Sequence, residues 1–229
     1  MNPPAALVLL HGALNNASVW NPVSAEGALA FDLPGHGANR EIAPLRSIEA
    51  LADWVWQELD RRGIANAVLA GHSMGSLIAL EAAARQPERC KALVMIGTAF
   101  PMRVSAALLE MAVSEPSKAI ALVDDYSRSQ PDEQAQLLRL MEAESTRNPS
   151  LLAHDLSLCN DYAGGLEAAA RVTCPAHLIL GEQDRMTPPR KAQALAEALK
   201  ATVHTLPCGH ALMSEAPTKI AGILKDIQP

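Results

Sequence analysis

The segment Ala70-Gly71-His72-Ser73-Met74-Gly75-Ser76 constrains this chain more than any other. Ahead of it, Asn66-Ala67-Val68-Leu69-Ala70 is a short apolar run of strand length. Behind it, Met74–Arg85 is rich in alanine and closes before Pro87, the pattern of a helix. A strand must therefore turn directly into a helix, with Ser73 at the apex. Gly71 and Gly75 stand two residues to either side, where a side chain would collide with the neighbouring strand or helix. The turn pushes Ser73 out of the sheet edge and lays the first N–H groups of the helix beneath it. Those groups and the helix dipole favour negative charge. The competing reading is a serine in a purely structural glycine turn.

The rest of the chain supplies a context for the turn. Leu7–Leu10 is a continuous apolar run, as for a strand buried on both faces, and ends in His11-Gly12-Ala13-Leu14. Asn15–Ser24 is polar around Trp20 and predicts a short helix. Ala28–Phe31 predicts a second strand, ending in Asp32-Leu33-Pro34-Gly35-His36-Gly37. Ser47 caps a helix with the apolar face Ile48, Leu51, Ala52, Val55 and Leu59, stopped by Gly63. After the serine turn come strands at Ala92–Ile96, Ala176–Leu180 and Thr202–Leu206, and helices at Arg190–Leu199 and Thr218–Ile227. Between Pro101 and Gly165 strand character vanishes, leaving helical segments such as Ser105–Val113, Ser117–Tyr126 and Glu133–Glu144. The expectation is a doubly wound α/β fold with a mostly parallel sheet of about six strands. Residues 1–100 and 166–229 form its core, and 101–165 an inserted helical cap.

Bulk properties exclude several classes. The net charge of −6 over 229 residues disfavours a nucleic-acid or anionic-membrane partner. No apolar run approaches the ~18 residues of a membrane span. The first residues lack the basic start of a signal peptide, and Cys90, Cys159, Cys174 and Cys208 are scattered without a C-x-x-C pair. Four reduced thiols in a cytoplasmic protein is the expectation. There is no H-E-x-x-H and no Cys/His cluster, so neither a metal nor another cofactor is implied.

In a parallel sheet all strand C-termini share one edge, so Asp184, past the fifth strand, and His210, past the sixth, can meet Ser73 there. The order Ser, acid, His is that of one known triad arrangement, and G-x-S-x-G is its nucleophile turn. Ser73 would attack, His210 would take and return its proton, and Asp184 would fix the imidazole tautomer. The backbone N–H groups of Met74 and Ala13 would form the oxyanion hole.

Leu9-Leu10-His11-Gly12, Asp32–Gly37, Gly71–Gly75, Gly181-Glu182-Gln183-Asp184 and Gly209-His210 follow one another as they do in the α/β-hydrolase superfamily. The chain resembles that family over nearly its whole length, and within it the small microbial carboxylesterases. The resemblance implies a sheet with strand one between two and three, an oxyanion loop meeting the serine turn at the switch point, and ester hydrolysis through an acyl-enzyme. The family's leading hairpin is missing, and Ser76 stands where a second glycine often follows the turn.

Among the other histidines, His11 is expected to order the oxyanion loop, His36 to serve its Pro-Gly turn, and His154, His177 and His204 to be structural. His72 either lines the pocket or packs. Asp184 is preferred to Glu182 as the acid. Asp32 reads as structural, and Asp124 and Asp125 as a solvated face. Met102, Met111, Tyr126, Leu137, Met141 and Tyr162 are candidates to line an apolar acyl pocket, or simply core. The cap carries five cations, Arg103, Lys118, Arg128, Arg139 and Arg147, against ten Asp or Glu. That balance disfavours docking of an acidic carrier protein and points to a free small-molecule ester. The alternative is a lyase or carbon–carbon bond hydrolase that grips a carboxylate with Arg103, Arg128, Arg139 or Arg147. A silent binding module is the third reading.

Overall fold

In the computed structural model, residues 5–23, 25–130 and 136–227 are described. Six strands form one sheet: β1 (Ala6–Leu10), β2 (Leu29–Phe31), β3 (Ala67–His72), β4 (Cys90–Ile96), β5 (Ala176–Gly181) and β6 (Thr202–Leu206). Their order is β2-β1-β3-β4-β5-β6, and every neighbouring pair is parallel. Strand one thus lies between two and three. All six C-terminal ends share one edge, which is where a doubly wound sheet binds its ligands.

The central strands β1, β3 and β4 are apolar apart from Lys91 near the start of β4 and His72 at the end of β3, because both faces are covered. Val8 and Leu10 of β1 pack on one side with Leu69, Leu93, Met95 and Leu178, while Leu7 and Leu9 pack on the other with Val68, Ala70, Val94 and Ile179. On the first side lie α1 (Ile48–Arg61) and α2 (Met74–Arg85). Ser47 caps α1 by accepting from the Ala50 N–H at 3.1 Å, and all five residues of the expected apolar face are buried. Trp54 and Trp56 are buried as well, the latter because its indole Nε1–H donates to the Ala82 carbonyl of α2 at 2.8 Å. Residues Met74 to Ala84 of α2 are all buried, which explains a helix of alanine and leucine with no polar face.

Four longer helices sit between β4 and β5: α3 (Ala106–Ser114), α4 (Pro116–Ser127), α5 (Gln136–Arg147) and α6 (Leu151–Asp161). A short α7 (Gly165–Ala169) returns the chain to the sheet. Residues 133–135 of the expected Glu133–Glu144 segment lie outside the described residues. So does Ser24 of the segment Asn15–Ser24, whose described part is a 3-10 helix over Ala17–Val23. The expected helix Arg190–Leu199 begins as a 3-10 turn at Pro189 and continues as α8 (Gln193–Leu199). A four-residue α9 (Leu212–Glu215) precedes the last helix, α10 (Pro217–Ile227). Asp124 corrects an expectation: it is 2% exposed rather than solvated, and Arg128 pairs with it at 2.6 Å. Among the described residues no helix is long and apolar enough to cross a membrane.

Candidate active site

The strand-to-helix turn has the strain its sequence implies. Ser73 stands at φ 52°, ψ −119°, a left-handed conformation that is costly for a residue with a Cβ and is tolerated where the surroundings fix it. Its N–H donates to the Ile96 carbonyl at 2.9 Å, and its carbonyl accepts from the Ser76 N–H at 2.8 Å and the Ser76 hydroxyl at 2.6 Å. The flanking glycines are sterically required. A Cβ on Gly71 would sit inside the Gly75 carbonyl, and one on Gly75 inside the Leu10 carbonyl. Gly71→Ala should therefore prevent soluble expression or lower the melting temperature by about 6 °C or more, an overpacking cost of about 3 kcal/mol or more that thermal melts would read. Ser76, the departure from a second glycine, adds a tether instead, since its hydroxyl also lies 2.8 Å from Thr98 Oγ1.

Register brings the next pieces alongside. Leu10 of β1 pairs with Gly71 of β3, so His11–Leu14 lies against the serine turn. A Cβ on Gly12 would meet Ser73 Cβ at 3.2 Å, which keeps position 12 small. His11 is fully buried and orders this loop: its Nδ1–H donates to Gly12 O at 2.8 Å, and its Nε2 accepts from the Leu33 N–H at 3.1 Å. Burial, with His36 close by, pushes its pKa down to about 3, so the ring is neutral as this pattern requires. Asp32 is structural, its carboxylate accepting from the Ala17 N–H at 2.7 Å and the Ala38 N–H at 2.9 Å.

Asp184 and His210 meet as the strand ends predict. His210 Nδ1–H donates to Asp184 Oδ2 at 2.8 Å, both residues being buried. The acid is held by more than the imidazole. Asp184 Oδ1 accepts from the Met186 N–H at 2.8 Å and the Thr187 N–H at 2.7 Å, and Oδ2 also accepts from Thr187 Oγ1 at 2.7 Å. Burial alone would raise the carboxyl pKa, but His210 and the Thr187 hydrogen bonds outweigh it and hold the group at about 2. Glu182, the other acidic candidate, is exposed. Thr187 was missed from sequence, although the signal exists: Asp184-Arg185-Met186-Thr187-Pro188 offers an aspartate the N–H groups two and three residues on.

His72 both packs and lines the cavity. Its Nε2–H donates to the His210 carbonyl at 2.9 Å, and the two rings lie 4.7 Å apart. Burial, then the proximity of His210, pushes its pKa down to about 3 and keeps it neutral.

A cavity of about 290 Å³ opens between these loops and the inserted helices. Ala13, His72, Ser73 and His210 line its floor, and Met102, Tyr126, Leu137 and Met141 are among its apolar walls. Met74 opens α2, so its N–H has no intrahelical acceptor. Two expected lining residues are elsewhere. The Tyr162 hydroxyl donates to buried Glu81 at 2.8 Å and its ring stands edge-on to Phe100, so it is core. Met111 packs half-buried among the inserted helices. Of the four arginines considered for gripping a carboxylate, Arg103 alone lines this cavity, and its Nη1–H donates to the Asn160 carbonyl at 2.8 Å. Arg128 and Arg147 are paired with Asp124 and Glu144. Arg185, not singled out from sequence, lines the cavity too and lies over the Tyr126 ring at 4.6 Å. Among the described residues there is no group of three or more His, Cys, Asp or Glu able to hold a metal.

With this geometry in place, comparison with known proteins is decisive for the family. The sequence profile of the alpha/beta hydrolase family matches residues 7–223. The chain belongs to that family. It is 31% identical over 213 residues to a pimeloyl-[acyl-carrier protein] methyl ester esterase of Chromobacterium violaceum, covering 84% of this chain and 81% of that one. A dihydrolipoyllysine-residue acetyltransferase component of an acetoin cleaving system from Pseudomonas putida is 39% identical over 98 residues, which is 41% of this chain and 26% of that one, so the chain spans about a quarter of that relative. Among solved structures, a thermophilic esterase superposes with a TM-score of 0.84 at 26% identity, covering 96% of this chain and 88% of that one. The alpha/beta hydrolase is thus a six-stranded, all-parallel member of its family, with esterases among its relatives.

Proposed function

We propose that this hydrolase cleaves carboxylic esters of small to medium acyl chains through an acyl-enzyme on Ser73. One observation carries the reading: the apex serine of the strained turn faces the same cavity as a histidine locked to a buried carboxylate. With Nδ1–H committed to Asp184, His210 Nε2 bears the lone pair that takes the serine proton and later returns it to the leaving alkoxide. Asp184, held ionised, stabilises the imidazolium formed in between. The N–H groups of Met74 and Ala13 receive the tetrahedral oxyanion beside the N-terminus of α2. In this reading residues 101–165 act as a cap whose apolar face accepts the acyl chain. Its acidic balance sets it apart from a dock for an acidic carrier protein, and the substrate is a free small molecule in a mechanism without metal or cofactor.

Hydrolysis of a p-nitrophenyl series from acetate to decanoate tests this. Turnover with a chain-length optimum is expected, and no turnover on any member would overturn it. Met141, 1% exposed on the cavity wall, sets depth. Met141→Trp should move the optimum to shorter chains and cut kcat/KM on the longest good substrate about tenfold or more, at over 1 kcal/mol for each displaced methylene. Tyr162→Phe should leave chain preference unchanged while costing about 1–2 kcal/mol of stability by urea unfolding, because a buried hydrogen bond to Glu81 is lost.

A further inference from the structure

The Ala13 N–H is useful to an oxyanion only if it points into the cavity, and the two peptides meeting at Ala13 Cα are both held in place. His11 donates to the carbonyl of the Gly12–Ala13 peptide at 2.8 Å. Across a trans peptide C=O and N–H point opposite ways, so this turns the Ala13 N–H away from His11. In the following peptide the Ala13 carbonyl accepts from Asn15 Nδ2 at 3.0 Å, and the Leu14 N–H donates to Asp155 Oδ2 at 2.8 Å. Leu14 needs that hold, since it is fully buried at φ 50°, a conformation unfavourable for a residue with a Cβ.

Asp155 lies on α6, 141 residues away in the chain, and is 1% exposed. Its Oδ2 is shared: His36 Nε2–H donates to it at 2.9 Å. His36 Nδ1 faces the Pro34 carbonyl at 3.1 Å. Both partners can only accept, so the ring carries both protons and forms a buried ion pair with Asp155. Glu144 of α5 makes a flanking attachment, accepting from Asn16 Nδ2 at 2.8 Å and the Gly37 N–H at 3.2 Å, but it touches neither peptide at Ala13.

We propose that Asp155 is a positioning residue for the oxyanion hole: from the cap it fixes the Leu14 N–H and, through that peptide, the direction of the Ala13 N–H. The inference rests on the reading of Ala13 as an oxyanion donor. It makes the cap a part of the catalytic frame as well as a cover for the acyl chain. A pH signature follows. The groups facing His36 are Asp155 of α6, Glu144 of α5 and His11 of the loop after β1. Burial opposes the charge on His36, Asp155 and Glu144 outweigh it, and the imidazolium persists to higher pH than is usual. Because the folded-state value is raised, the pair is complete below the ordinary histidine range and is lost as pH rises through the raised value. The hold on Leu14 loosens there, giving an alkaline limb in kcat.

The test compares wild type, Asp155→Ala and Asp155→Asn on a good p-nitrophenyl ester, with rates counted per Ser73 titrated to completion by a fluorophosphonate, so that unfolded protein drops out. Deleting an oxyanion donor costs about 10²–10³ in kcat, and misdirecting one in Asp155→Ala should cost about tenfold to a hundredfold, with KM changed by less than about threefold. Affinity for a boronic acid transition-state analogue should fall by the same factor as kcat/KM. Asp155→Asn keeps an acceptor for Leu14 without the charge for His36, so its kcat should lie between those of wild type and Asp155→Ala, near the level wild type falls to above its alkaline limb, and show no such limb of its own. Wild-type kcat per titrated serine in Asp155→Ala would overturn the proposal. Ser73→Ala, run alongside, separates the two readings: turnover in that variant would overturn the parent assignment instead.

Discussion

Replacing Ser73 with alanine is expected to lower kcat for ester hydrolysis by about 10⁶-fold, with stability shifted by less than about 1 kcal/mol. The size of the effect comes from the chemistry. Without the hydroxyl there is no acyl-enzyme, and His210 can only assist water, so the oxyanion hole and binding alone leave about 10³–10⁴-fold over the uncatalysed rate. The small cost to the fold follows from how the apex is held. Ser73 is fixed through its own N–H to Ile96 and its carbonyl to Ser76, contacts that alanine keeps. Stopped assays on active-site-titrated wild type against an equal mass of the variant, with thermal melts of both, read the two numbers separately. Full turnover by Ser73→Ala would end the serine-hydrolase account.

Asp184→Asn should be nearly as damaging to kcat, by about 10⁴-fold, with KM little changed. Every lone-pair direction in use at this carboxylate faces a donor. Oδ1 receives the Met186 and Thr187 N–H groups, while Oδ2 receives His210 Nδ1–H and the Thr187 hydroxyl. An asparagine must aim its NH2 at one of these pairs, whichever way it is turned. Facing His210 it selects the wrong tautomer; facing the backbone it leaves two N–H groups against two others. A pH signature distinguishes this from a packing defect. The Asp184 pKa is lowered to about 2, so its contribution to stability is complete above the ordinary carboxylate range and disappears as pH falls through about 2. That difference is worth about 2 kcal/mol. Urea unfolding from pH 7 down to pH 2 should show that slope in wild type and its loss in Asp184→Asn.

The strands and the edge at which their C-terminal ends gather were legible because each rests on local pattern, whereas their order came only from the resemblance to the family. Apolar runs such as Leu7–Leu10 and Leu93–Ile96 must be covered on both faces, and Ser73, Asp184 and His210 each stand just past a strand end. The parts that were not legible depend on which distant elements come together. Asp124 and Asp125 are adjacent in sequence, yet one is buried against Arg128 and the other is exposed, a difference set by which face of α4 meets the fold. Met111 and Tyr162 share the apolar character of Met102 and Met141, and nothing local told cavity wall from core. Asp155 on α6 carries no mark of its engagement with Leu14 and His36, more than a hundred residues earlier. Thr187 is the exception, a partner close enough in sequence for turn chemistry to reveal it.

The central claim is an acyl group on Ser73, and peptide mass spectrometry of enzyme quenched in acid during turnover of a p-nitrophenyl ester tests it most directly. The account predicts an acyl adduct on the peptide carrying Gly71–Gly75, confined to Ser73, present in wild type and absent in Ser73→Ala. An adduct on another residue, or turnover in the steady state with Ser73 unmodified under conditions where deacylation limits the rate, would contradict it.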